Sequence, residues 1–152
     1  MRKNLGRTAI GLAYYALFAF LVFGVWEWLQ TPFYEDVSAD INRIVWFRLH
    51  CTLVDMLILS GCMAAVSALR RGVRWLARPR LGDLLAVGAL GVLYTGASEY
   101  LNVHVRQSWG YSSWMPLVPW LGIGLVPLVQ WLLLPAVVLV LVGDHLQGVA
   151  RD

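Results

Sequence analysis

Four long apolar stretches, separated by short polar connections, dominate the chain: roughly residues 8–30, 44–69, 81–103 and 113–143. At about 1.5 Å per residue each is long enough to cross a hydrocarbon core of roughly 30 Å. None shows the apolar–polar alternation of a barrel strand. Hydrocarbon offers no partner to an open backbone N–H or C=O, so the pattern predicts helices. The expected fold class is all-α: a polytopic membrane protein formed by one antiparallel bundle of four transmembrane helices, a single domain over residues 1–152.

The connections predict an orientation. Arg2, Lys3 and Arg7 precede the first stretch, and Arg70, Arg71, Arg74, Arg78 and Arg80 crowd the second connection. Residues 31–42 instead hold Glu35, Asp36 and Asp40 with no basic residue. By the positive-inside rule both termini and the 70–80 connection lie in the cytoplasm, which fits a multi-pass protein of the bacterial inner membrane. The N-terminus starts like a secretion signal. It runs on into Trp26-Glu27-Trp28-Leu29-Gln30 instead of a small-residue cleavage site, so it reads as an uncleaved anchor.

Composition narrows the class further. At 59% hydrophobic residues and a mean hydropathy of +0.65, an ordinary soluble domain is excluded. The net charge of +3 follows from the clustered arginines, and no nucleic-acid partner is expected. Cys51 and Cys62 stand about 16 Å apart along one helix, too far to bond, and no Cys-x-x-Cys is present. Trp26, Trp28, Trp46, Trp109 and Trp114 fall at the predicted outer ends and Trp75 in the cytoplasmic connection, as an aromatic belt would. Gly82, Gly88, Gly91 and Gly96 predict close approach to the third helix, which is also the candidate interface of a possible homodimer. Pro116, Pro119, Pro127 and Pro135 predict an irregular or kinked fourth helix.

Polar side chains inside the apolar stretches gather at one depth. Glu27 ends the first helix; Arg48, His50 and Asp55 occupy the outer half of the second; Glu99, Asn102 and His104 lie at the outer end of the third. Arg48, Thr52 and Asp55 form one helical stripe, and Thr95, Glu99 and Asn102 another. His50 points roughly 160° away from Arg48 and His104 roughly 140° away from Glu99, which makes the histidines weaker members. Asp83 falls in the first turn of the third helix, where a carboxylate suits the helix dipole. An ionised carboxylate at mid-membrane costs about 3 kcal/mol, so Asp55 and Glu99 must each find a cation such as Arg48 or keep a proton. Two acids in unlike surroundings are what acid–base chemistry at neutral pH requires. The alternative is a network that only holds helices together. Glu27 is either a third member or a solvated helix end. Gln130, near the middle of the fourth helix, needs a partner: Asp55, or a carbonyl left open by Pro127.

The stretch from Glu99 to Gln130 resembles part of the bacterioruberin-type carotenoid hydratases, through Glu99, Trp109-Gly110-Tyr111, Val118-Pro119 and the helix beyond. Trp109-Gly110-Tyr111-Ser112-Ser113 departs from the Gly-Tyr-x-Tyr pattern of that family, and the likeness covers about the last third of the chain. The same region is similar to small four-helix bacterial membrane proteins carrying W-x-Y-x-x-x-M-P and G-x-G-L-x-P-L-x-Q, here Trp109 to Pro116 and Gly122 to Gln130. The hydratase resemblance implies a polyprenoid substrate protonated by Glu99 or Asp55.

Three functions compete. The first is a cofactor-free acid–base enzyme of the hydratase, isomerase or lyase type acting on a membrane lipid or isoprenoid, with Asp55 and Glu99 catalytic. Glu27, Arg48, Asn102, Trp109, Tyr111, Trp114 and Gln130 would bind the substrate. The second is a small proton-coupled transporter or binding protein working as a dimer. The third is a redox or anchor subunit in which His50 and His104 ligate haem or a metal, although no His-Glu-x-x-His or Cys-x-x-Cys-His motif is present.

Overall fold

The computed structural model describes residues 2–35, 40–143, 145 and 146, and among these no strand forms. Asp36 lies outside the described residues, as do the side chains of Arg2, Lys3 and Arg7. Three helices are long and apolar enough to cross a membrane: α1 (Arg2–Leu29), α2 (Ile41–Leu69) and α3 (Leu81–Tyr100), the last running on into a π-helical turn, Leu101–Val105. A shorter apolar helix, α4 (Val126–Val142), completes the set.

The fourth apolar stretch does not become helical at residue 113. Pro116 and Pro119 lack the N–H that a continuing helix needs, and residues 112–125 form turns instead. A small hairpin there is closed by Val118 N–H donating to the Ile123 carbonyl and Leu125 N–H to the Pro116 carbonyl, each at 2.8 Å. Trp120 (φ 64°) and Gly122 (φ 62°) make its reversal. Pro127 falls in the first turn of α4, where a missing N–H costs nothing, while Pro135 is buried inside the helix.

The helices pack as a closed ring: α1 against α2, α2 against α3, α3 against α4, and α4 back against α1. Each sends a stripe inward. On α2 the buried residues are Ile44, Arg48, Thr52, Asp55, Leu59, Cys62 and Val66, a three–four repeat that is polar above and apolar below. Phe23, Leu59, Val87, Trp131 and Val138 form the apolar centre, each fully buried. Large apolar side chains such as Leu57, Leu93 and Val140 also cover the outside, as helices in hydrocarbon require.

Gly88 and Gly91 explain the tight α3–α4 contact. A Cβ at Gly88 would stand 2.8 Å from the Trp131 carbonyl oxygen, and one at Gly91 would lie inside the Trp131 ring. That part of the glycine stripe is therefore occupied by α4 of the same chain and is not open to a second copy. Asp83 does cap α3, accepting from Arg80 N–H at 3.0 Å, and forms an ion pair with Arg70 as well. Trp75 is no belt residue: it is buried, and its indole N–H donates to Ser67 Oγ at 2.9 Å.

Since Trp131 has no room to move, Gly91→Ala overpacks the bundle and is expected to cost about 1–3 kcal/mol. Gly96→Ala is the control, because its Cβ would meet Ile123 and Leu128 at an ordinary 3.8 Å. Thermal unfolding of the two purified variants should show a lowered midpoint for the first alone.

Candidate functional site

The polar upper half of the ring encloses a cavity of about 290 Å³. Glu27 and Gln30 reach it from the end of α1, Arg48 and Asp55 from α2, Thr95, Glu99 and Asn102 from α3 and its π turn, and Gln130 from α4. Tyr34 and Trp109 line its upper part. Below it stand the fully buried Phe23, Leu59, Val87 and Trp131, with Phe23 and Trp131 rings 5.7 Å apart.

Arg48 is 2% exposed and pairs with Glu27 at 3.5 Å. Its guanidinium also lies over two aromatic faces, 5.2 Å from the Tyr34 ring centre and 5.3 Å from that of Phe47. The cation anticipated in the site thus pairs with Glu27. Along α2 the seven residues from Arg48 to Asp55 rise about 10 Å, whereas Glu27 approaches from the facing helix.

Glu27 accepts a short hydrogen bond from Gln30 Nε2, and Gln30 Oε1 accepts from Trp26 Nε1 at 3.2 Å. Asp55 faces Glu27 and lies within hydrogen-bonding reach of the Gln130 amide. Asp55 Oδ2 and Glu27 Oε2 are both buried without a hydrogen-bond donor, and Glu27 Oε2 has the Arg48 ion pair. Gln130 finds Asp55, as one of the two partners expected for it, and its Oε1 remains an unmatched acceptor among the described residues.

Glu99 has a different shell. The Tyr111 hydroxyl donates to it at short range and Trp109 Nε1 donates at 3.4 Å, with the Tyr34 hydroxyl close by. Burial raises the Tyr34 phenol well above its ordinary pKa, and the Glu99 charge raises it further. Burial and the bond to Glu99 do the same for Tyr111. Both phenols therefore stay protonated.

These aromatic residues come from two connections that are stitched together above the cavity. Glu35 N–H donates to the Gly110 carbonyl at 3.1 Å and Ser112 N–H to the Phe33 carbonyl at 3.0 Å, which sets Tyr34 opposite Tyr111. Ser112 Oγ adds a bond to the Pro32 carbonyl at 2.8 Å.

Of the residues singled out from sequence, Glu27, Arg48, Asp55, Glu99, Asn102, Trp109 and Gln130 line the one cavity, and Tyr111 reaches it through Glu99. Asn102 spends its amide N–H on the Ser98 carbonyl at 2.9 Å. Trp114 does not take part: it is 77% exposed, on the turn after the stitched loops. The histidines do not meet. His50 is an exposed residue at the cavity rim, while His104 bonds the Leu121 carbonyl at 3.0 Å and lies against the Tyr100 ring. Among the described residues no group of three His, Cys, Asp or Glu side chains is placed to hold a metal ion. Sequence reasoning missed Gln30, Tyr34 and Phe47. The Glu27-x-x-Gln30 spacing was the one local signal, since residues three apart on a helix are neighbours.

Removing one partner of a buried ion pair strands the other charge, so Arg48→Met is expected to destabilise by about 3–5 kcal/mol. Adding Glu27→Leu should recover much of the loss, read as the unfolding midpoint of the two variants. Comparison of the chain with protein-family models, with curated proteins and with solved structures finds no match, so any assignment rests on this geometry.

Proposed function

We propose that the protein is a membrane-embedded acid–base enzyme acting on a lipid-soluble substrate, with an isoprenoid as the favoured class. The observation that carries this reading is the pairing of two unlike acids across one cavity. Glu27 and Asp55 face each other on one wall, and Glu99 sits on the other beside its donors Trp109 and Tyr111, with Tyr34 close by. In the proposed reaction the Glu27–Asp55 pair supplies a proton to the substrate and Glu99 receives one, the two-carboxyl logic of hydration, isomerisation or elimination. Gln130 Oε1 offers an acceptor for orienting the substrate. The aromatic faces of Tyr34 and Trp109 stand where positive charge would develop, and ring quadrupoles steady such charge.

In this reading α4 and the hairpin before it complete a four-span bundle. Seventeen residues of helix give about 26 Å, and the hairpin satisfies its own backbone through the bonds from Val118 and Leu125. The arginines of the 70–80 connection face the cytoplasm of a bacterial inner membrane, which places the cavity in the outer leaflet. Substrate would arrive sideways from the bilayer between α2 and α3, where exposed His50 and Tyr94 flank Val54 and Ser98 on the cavity lining. The likeness of Glu99, Trp109-Gly110-Tyr111 and Val118-Pro119 to carotenoid hydratases favours an isoprenoid among lipids. The rival reading, proton-coupled transport, needs a path to the opposite face. Phe23, Leu59, Val87 and Trp131 fill that direction with apolar side chains, which favours chemistry over passage.

Lipid extracts of cells producing the protein should contain a species, altered in mass by one water or in double-bond position, that is missing from cells producing Asp55→Asn or Glu99→Gln at equal membrane abundance. Identical lipid profiles for all three would sink the enzyme reading. Tyr111→Phe removes one donor from Glu99 and should slow formation of that species about a hundredfold while leaving the protein folded.

A further inference from the structure

A carboxyl that accepts a proton inside an apolar bundle must eventually return it to water. The floor of the cavity is apolar and, in the proposed orientation, the α2–α3 seam at His50 and Tyr94 opens to the bilayer, so neither supplies bulk water. A second cavity, of about 240 Å³, lies on the other side of the ring pair Phe47 and Trp109. Its other walls include Glu35, Arg43, Ser108 and Gly110. Glu35, Arg43 and Ser108 are exposed, and a carboxylate facing a guanidinium makes this a wet vestibule rather than a lipid groove.

Phe47 and Trp109 line both cavities. Their rings meet edge to face with centres 6.2 Å apart and so form the partition between the vestibule and the site. The two halves of the partition are held differently. Phe47 stands on α2 with the Arg48 guanidinium over its face at 5.3 Å. Trp109 belongs to the connection after α3, and its N–H reaches Glu99 at 3.4 Å, near the long limit of a hydrogen bond. When the indole swings out, the same motion opens the partition and uncovers Glu99.

We infer that the Glu35–Arg43 vestibule is the water-binding antechamber of the site, and that Trp109 swings against Phe47 to admit water and release protons at Glu99. Trp109 is thus a positioning residue for the carboxyl and the moving leaf of the partition. The purpose of the route rests on the reading of Glu99 as a proton acceptor; the route itself rests on the two cavities and the shared ring pair.

Cys51 lines the main cavity and provides a reporter, and with Cys62→Ala it becomes the only thiol of the full chain. The protein is placed in lipid nanodiscs, open to water on both faces, and treated with a trimethylammonium methanethiosulfonate, a charged reagent that does not travel through lipid. Modification of Cys51 is followed by mass. An aromatic edge contact is worth about 1 kcal/mol, so Trp109→Ala and Phe47→Ala should each speed modification about fivefold. Trp120→Ala, at the exposed hairpin tip, should leave the rate unchanged. A rate that neither Trp109→Ala nor Phe47→Ala increases overturns the inference, and either variant alone suffices if the other does not fold. No turnover is measured, so failure here leaves the lipid-profile test intact, and failure of that test leaves this one intact.

Discussion

The guanidinium of Arg48 is the constraint around which the upper half of the molecule is arranged. A fully buried cation is tolerated only with an opposing charge and a complete shell. That shell draws on separate parts of the chain: Glu27 from α1, Tyr34 from the first connection, and Phe47 beside it on α2. Glu27, once fixed, brings Asp55, and Asp55 brings Gln130 of α4. One charge on α2 thereby ties α1, α4 and a loop into the same network. The division of each helix into a polar upper and an apolar lower half follows, because the cluster can be satisfied only where all four helices contribute to it.

Much of this was legible from spacing alone. The stripe Arg48, Thr52, Asp55 continues below as Leu59, Cys62 and Val66, so one period places the site and the core together. Glu99 at the end of α3 and Gln130 on α4 are polar groups whose depth demands a partner, and both find one. The glycines at 88 and 91 announce close contact, although only the fold shows that Trp131 makes it. The start of α4 was less readable. Hydropathy counts residues 113–125 as apolar, but the missing N–H groups of Pro116 and Pro119 turn that stretch into a hairpin whose Trp120 lies fully exposed.

What sequence could not supply is geometry between elements. Helical rise along α2 does not say that Glu27 pairs with Arg48, because that distance depends on how α1 crosses α2. Tyr34 sits in a connection, where no periodicity marks it. It becomes part of the site only because residues 33–35 pair with 110–112, far along the chain. Trp109, Tyr111 and Trp114 look alike as interfacial aromatics in the sequence. The stitched loops turn the first two onto Glu99 and leave the third outside.

That stitching has a chemical consequence. The aromatic residues around Glu99 come from two loops, and the loops are joined to each other by hydrogen bonds to the backbone. Donors fixed in advance around a carboxyl need no reorganisation when its charge changes, which is the chief advantage an enclosed site has over water. The opposite wall is built on another plan. Glu27 and Asp55 stand on helices and face each other, with Arg48 paired to Glu27. In the proposed reaction, loop-held donors on one side and a helix-borne carboxyl pair on the other give the cavity a direction, from that pair toward Glu99.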